Sequence, residues 1–284
     1  MKALLLRFFF AHRFTKSKGQ GQTTDEECQA PNAGWKEVEF FAMVPAKEKE
    51  RMATYVLVHG AWHGGWCWQR VTPLLRAAGH EVWTPTLTGL GERSHLASPE
   101  IDLNTHIQDV VNVLEYEDLR KVILVGHSYG GMVITGVAER AAERLIHLIY
   151  LDAFVPRDGQ LLLDLVDQPR RAAIQEHVLP EGLVPPFPIE AFGVTAGADV
   201  RWVEPKLVPH PLKTLTTPVR LIDPAAVALP RTYIYCGNPA MGPFDQFAER
   251  LQKEKGWRYR ELATGHDAMV TMPGQLADLL IEVA

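Results

Sequence analysis

Residues 122–136 read VILVGHSYGGMVITG, and no other stretch constrains the fold as tightly. Four apolar residues run into Gly126-His127-Ser128-Tyr129-Gly130, and a helix-like pattern follows at once. A strand, G-x-S-x-G and a helix in direct succession require a turn so tight that its central residue adopts a strained backbone conformation. Gly126 and Gly130 leave room where side chains would collide. Ser128 is thereby lifted clear of a sheet edge with its hydroxyl exposed. The helix behind it aims N-terminal N–H groups at the same point, where negative charge would collect. A five-residue pattern recurs by chance; the flanking strand and helix are what select a nucleophile over a structural turn.

The rest of the chain has the rhythm such a turn needs. From Thr54 the pattern alternates strand and helix, as parallel α/β folds do. TYVLVHG reads as a buried strand, WCWQRVTPLLRAAG as a helix closed by Gly79, and HEVWTP as the next strand. Ile107, Val110, Val111 and Leu114 recur at helical spacing behind Asp102 and Asn104, either of which could cap the helix. After the elbow and its helix, LIHLIYLDAF is a further strand. From there to about Leu229 prolines are frequent, helical periods are short and aromatic residues are scattered, so residues 153–229 read as an inserted cap. RTYIYC, a helix bearing Phe244, Phe247, Ala248 and Leu251, the strand WRYREL and a closing helix complete the core. The expected organisation is core over 52–152, cap over 153–229 and core again over 230–284. Residues 1–51 are mostly polar after MKALLLRFFFAHRF, whose apolar run Arg7 interrupts, and read as a flexible extension. KEKER, just before Met52, is a string whose commonest codons are nearly all purines; in a bacterial source this fits a ribosome-binding sequence read as protein, with Met52 as the natural start.

A serine hydroxyl needs a base. Of eleven histidines, His266 in LATGHDAMV falls just past the last strand and before the final helix, where the base belongs. His127 should point away from its neighbour Ser128 and serve packing. His80, His95, His106, His147, His177 and His210 read as surface or core. The acid has two candidates. The loop after RTYIYC holds no carboxylate before Asp245, already in the predicted helix. Asp152 ends the apolar strand LIYLDAF, and a carboxylate there is costly to bury without a partner such as a histidine N–H. Asp152 is favoured and Asp245 is the alternative. HGAWHGGW follows the first strand, where a loop contributes to an oxyanion hole; Ala61 and Tyr129 are the expected N–H donors. His59 and His63 lack an acidic neighbour in that turn, so no metal site is expected. Trp62, His63, Phe154 and Trp202 are candidate substrate-lining residues, with Trp66, Phe187 and Phe192 as further apolar wall.

Composition narrows the function. A chain of 284 residues, 46% hydrophobic, can bury one sizeable core. A net charge of −5 with no Lys/Arg cluster offers no footprint for nucleic acid or an anionic membrane surface. No apolar stretch approaches a bilayer span. Cys28, Cys67 and Cys236 form no C-x-x-C pair, which fits free thiols in a reducing, cytoplasmic compartment.

With these residues in place, YVLVHGAWHGGWCW, LTGLGER, VILVGHSYGGMV and YLDAFVP resemble the α/β-hydrolase superfamily, from Met52 to the C-terminus. Within it the chain is similar to the group of plant methyl-salicylate esterases and hydroxynitrile lyases. Bacterial members that cleave the methyl carbamate carbendazim share similar strings around His59, Ser128, Asp152 and His266. The resemblance implies a mostly parallel sheet flanked by helices, with Ser128 as nucleophile, His266 as base, and Ala61 and Tyr129 as oxyanion donors. It fails at the usual acid position, where the chain has GNPAMG. The lyases carry threonine and lysine where this chain has Gly60 and Asp267, which argues against cyanohydrin cleavage. Epoxide hydrolases and dehalogenases of this fold need an aspartate nucleophile. The expectation is a cofactor-free serine carboxylesterase acting through an acyl-enzyme on small, largely apolar esters, as a monomer or homodimer. Carbamate or amide hydrolysis by the same residues is the first alternative, and a ligand sensor with a retained triad is the second.

Overall fold

A computed structural model describes residues 52–283. The readings of residues 1–51, Cys28 included, fall outside them. Six strands form one parallel sheet in the order β2-β1-β3-β4-β7-β8: β1 Thr54–Val58, β2 Glu81–Trp83, β3 Val122–His127, β4 Leu145–Leu151, β7 Arg231–Cys236 and β8 Trp257–Leu262. β3 is buried at every residue. A parallel strand covered by helices on both faces must be apolar throughout, which is why VILVGH shows no alternation. β2, at one edge, is three residues long, and β8, at the other, mixes exposed and buried positions. Short or charged edges resist pairing with other chains.

The helices flank this sheet. α1 spans Thr72–Ala77, α2 Leu103–Tyr116 and α3 Gly130–Ala141. The single helix expected over 66–79 is two pieces, a 3₁₀ turn Gly65–Arg70 and then α1. Pro73 lies in the first turn of α1, the one place in a helix where its missing N–H costs nothing. Of the two possible caps for α2, Asp102 serves: its carboxylate accepts the Thr105 N–H at 3.0 Å. α3 follows the elbow directly, and its first nine residues are buried.

Between β4 and β7 the chain passes through short elements. α4 spans Gln168–Glu176, α5 Gly197–Val203, α6 Leu212–Thr216 and α7 Pro224–Ala228. Two-residue strands β5, Leu183–Val184, and β6, His210–Pro211, pair antiparallel. α8, Asp245–Leu251, begins two residues after Pro243. α9, Ala268–Thr271, precedes the closing helix α10, Pro273–Val283. Among the described residues no helix is long and apolar enough to cross a membrane.

Candidate active site

β3 delivers Ser128. Its φ is +54°, the left-handed conformation that non-glycine residues rarely adopt. The turn is held by backbone bonds: Ser128 N–H donates to Leu151 O at 3.2 Å, and Ser128 O accepts from Phe154 N–H at 3.1 Å. A Cβ at position 126 would sit 2.6 Å from Gly130 O, so the turn closes only around glycine.

β4 ends one strand over at Asp152, whose φ of +40° repeats the same strain. Asp152 is fully buried. Its Oδ1 accepts the Cys236 N–H at 3.2 Å and its Oδ2 accepts from His266 Nδ1 at 2.6 Å. Asp245 is engaged elsewhere, accepting the Tyr235 hydroxyl at 2.6 Å. Of the two candidate acids, Asp152 is therefore the one in contact with the histidine. The His266 ring stacks on Phe244 with centroids 4.7 Å apart, and Phe192 lies roughly parallel at 6.2 Å. Burial lowers the imidazole pKa to about 4 and pushes the Asp152 carboxyl up, against the Cys236 hydrogen bond. The imidazole is neutral at physiological pH. With Nδ1–H given to Asp152, Nε2 has no protein partner among the described residues.

The loop after β1 approaches from the other side. A Cβ on Gly60 would lie 2.9 Å from both Ser128 Cβ and His127 Nδ1, so only glycine lets this backbone come so near the serine. His59 pins the loop: Nδ1–H donates to Gly60 O at 2.8 Å, and Nε2 accepts the Leu87 N–H at 3.1 Å. Burial lowers His59 to about 3, as expected of a neutral ring with one donor and one acceptor. Ala61 and Tyr129 both line the cavity at Ser128. Tyr129 is held from below by its hydroxyl, 2.8 Å from His106 Nδ1.

That cavity, about 40 Å³, is walled by Trp62, Phe154, Phe187, Phe192 and Phe244, and Arg170 is its only charged side chain among the described residues. A larger cavity of about 310 Å³, among Arg157, Arg231 and Trp257, contains none of these groups. Of the four candidate substrate-lining residues, Trp62 and Phe154 lie on the serine cavity and His63 and Trp202 do not. Trp202 packs outside it, with the Arg70 guanidinium 4.4 Å from its ring centroid. His63 is drawn away by a partner that sequence reading missed. Its Nε2 lies 3.0 Å from Asp267 Oδ2, both residues almost wholly buried. They are 204 residues apart, and no local spacing signals the pair. His127 packs as expected, its ring 4.4 Å from that of His266 and its Nε2 3.1 Å from His266 O. Ligating atoms of His127, His266 and Asp267 lie within 4.8 Å of one another, though His266 Nδ1 and Asp267 Oδ2 already have protein partners. Among the histidines read as surface or core, His80, His106, His147 and His210 are buried, and His95 and His177 are exposed. Cys67 and Cys236 are buried free thiols.

Comparison with known proteins gives this geometry a context. A model of the "Alpha/beta hydrolase family" matches residues 55–279. A carbendazim hydrolyzing esterase from Nocardioides sp. (strain SG-4G) is 44% identical over 243 residues, covering 81% of this chain and 98% of that protein. Methylesterase 3 of Arabidopsis thaliana is 26% identical over 266 residues, covering 84% and 98% respectively. Among solved structures, an extracellular α/β-hydrolase from a Paenibacillus species superposes with a TM-score of 0.72 at 24% identity. It covers 81% of this chain and 98% of its own, a likeness of fold.

Proposed function

The chain belongs to the alpha/beta hydrolase family, and from that premise we propose that it is a serine carboxylesterase that hydrolyses small, largely apolar esters. The observation that carries the reading is the 2.6 Å contact between Asp152 and a neutral, buried His266 beside the cavity that Ser128 enters. Ser128 Oγ attacks the ester carbonyl while His266 Nε2 takes its proton. The Asp152 carboxylate holds the ring in the tautomer with Nδ1–H and stabilises the imidazolium that forms. The tetrahedral oxyanion rests on the N–H groups of Ala61 and Tyr129. His266 then protonates the departing alcohol, leaving an acyl group on Ser128. Water, deprotonated by the same imidazole, attacks that group and releases the acid.

Residues 153–229 act as the cap. Leu162, Val166, Phe187, Phe192 and Leu215 come from it to wall the cavity. A volume of about 40 Å³ is far below the several hundred typical of ligand sites, so the cap must shift to admit substrate. The buried thiols Cys67 and Cys236 agree with a reducing, cytoplasmic setting.

One observation favours a second substrate class: the 44% identical relative is named for carbendazim hydrolysis. A methyl carbamate would follow the same course, releasing methanol and a carbamoyl-enzyme. A panel of p-nitrophenyl acetate, aromatic methyl esters and a methyl carbamate tests both classes. Ser128→Ala should lose on the order of 10⁶ in kcat and Asp152→Asn about 10⁴, with Asp245→Asn close to wild type. Wild-type turnover in Ser128→Ala would refute the mechanism, and binding without steady turnover would mark a sensor.

A further inference from the structure

Beside the Asp152–His266 pair lies a second buried histidine–carboxylate pair that the proposed mechanism leaves idle. His63 belongs to the loop after β1, and Asp267 is the residue directly after His266. The His63 ring spans the gap: Nδ1 is 2.8 Å from Ala61 O and Nε2 is 3.0 Å from Asp267 Oδ2. A backbone carbonyl can only accept, and an ionised carboxylate can only accept. Both ring nitrogens must then carry protons, so the contact is an imidazolium–carboxylate ion pair. Burial opposes charge on His63, but the Asp267 carboxylate, its hydrogen bond and the Ala61 carbonyl together outweigh it and raise the pKa. Burial likewise works against the Asp267 carboxylate, and His63 with its hydrogen bond brings it below the usual range.

A buried ion pair is a poor way to gain stability, since desolvating two charges rivals their attraction. Its location suggests what it is for. One end grips the carbonyl of Ala61, an expected oxyanion donor. The other end grips the residue bonded to His266. Asp267 Oδ1 accepts no hydrogen bond and lies 3.7 Å from His127 Nε2. His266 is faced by Asp152 from the end of β4, His127 from the end of β3, Asp267 on its own loop, His63 from the β1 loop and Arg170 from α4.

We propose that His63 and Asp267 form a charged strut that holds the oxyanion loop and the His266 loop in register, both being positioning residues for ester hydrolysis. The proposal rests on the reading of His266 as the general base. The strut works only as a pair. It also sets the field at His266, where the Asp267 carboxylate favours the imidazolium more strongly than the His63 charge opposes it.

The test has two parts. In wild-type protein labelled with ¹⁵N-histidine, NMR at pH 8 should find one ring with both nitrogens protonated, and that signal should be absent from Asp267→Asn. Kinetics on p-nitrophenyl acetate then compare wild type, Asp267→Asn, His63→Gln and the double variant, each checked by thermal melting. Each single variant should lose about 10²-fold in kcat, and the double variant no more than the worse single. In Asp267→Asn the acid limb of kcat/KM should move to lower pH by about one unit. Additive losses, an unmoved acid limb, or only neutral rings at pH 8 would overturn the proposal. If a variant does not fold, the wild-type spectrum alone decides. Ser128→Ala runs alongside: activity there sinks the esterase reading itself, whereas a dead Ser128→Ala with an unshifted Asp267→Asn profile sinks only the strut.

Discussion

Backbone strain at this site falls on Trp62 in the loop after β1, with φ of +64°, and on two residues at the ends of adjacent strands. Ser128 and Asp152 both have positive φ, at +54° and +40°. Such conformations cost on the order of 1–3 kcal/mol each and persist where surrounding structure over-determines them. Here Ser128 N–H is tied to Leu151 O and Asp152 N–H to Ile234 O, so neither turn can relax without breaking sheet-edge bonds. Gly60 matters too, because its missing side chain sets how near the loop after β1, the proposed source of an oxyanion donor, comes to Ser128. Gly60→Ala would place a methyl 2.9 Å from Ser128 Cβ, and the loop would have to retreat. A kcat/KM lower by about 10²-fold, with KM little changed, is the expected result. Activity within two- or three-fold of wild type would mean that the loop tolerates displacement and that the Ala61 N–H is not a donor.

At the scale of elements, α2 supports the site from below. His106 on α2 bonds to the Tyr129 hydroxyl at 2.8 Å and to Thr88 O at 2.8 Å, linking the helix to the elbow and to the loop after β2. Its neighbour Ile107 packs so closely on α3 that a Cβ on Gly136 would lie 2.2 Å from Ile107 Cδ1. The N-cap of α2 is far simpler to perturb. Asp102→Ala leaves the Thr105 N–H without its side-chain acceptor and should cost about 1 kcal/mol, lowering Tm by roughly 2–4 °C. Calorimetry measures this, and kcat on p-nitrophenyl acetate should stay at the wild-type value. A large loss of kcat would mean that α2 positions Tyr129 more directly than its bonds indicate.

The whole molecule has a pH signature. Burial lowers His59 to about 3 and His106, His147 and His266 to about 4, against roughly 6.5 in the unfolded chain. Between those values the unfolded state binds more protons than the folded one. Stability therefore falls as pH drops from about 6.5 toward 4. His63 has the opposite sign, since its pKa is raised: its contribution is full below about 6.5 and is lost as pH rises through its folded value. Asp267, lowered, contributes above its unfolded value and loses that as pH falls through its folded one. Burial lowers His80, His127 and His210 as well, so seven lowered histidines outweigh His63 and the raised Asp152 carboxyl, which act in the opposite sense. Tm should accordingly fall steeply across pH 6.5 to 4, which a series of buffered melts measures. A flat profile there would mean that these rings are solvated in the native state.

Much of this protein is legible in its sequence because the informative patterns are local. VILV followed by G-x-S-x-G and a helical stripe dictates a strand, a left-handed serine and a helix, since each depends on residues a few positions apart. The apolar β1, β3, β4 and β7 segments read as buried parallel strands for the same reason. Asp152 was reachable through a physical rule, that a carboxylate ending an apolar strand needs a partner. Tertiary structure decided what sequence separation conceals. Which carboxylate meets His266 depended on β4 and β7 lying side by side, and a near-neighbour such as Asp245 could be ruled out of contact only once Tyr235 was seen to hold it. His63 and Asp267, each unremarkable where it stands, became an ion pair because folding brings two loops 204 residues apart to the same sheet edge. Charge pairing acts through space, and one sequence records only the order of residues along the chain.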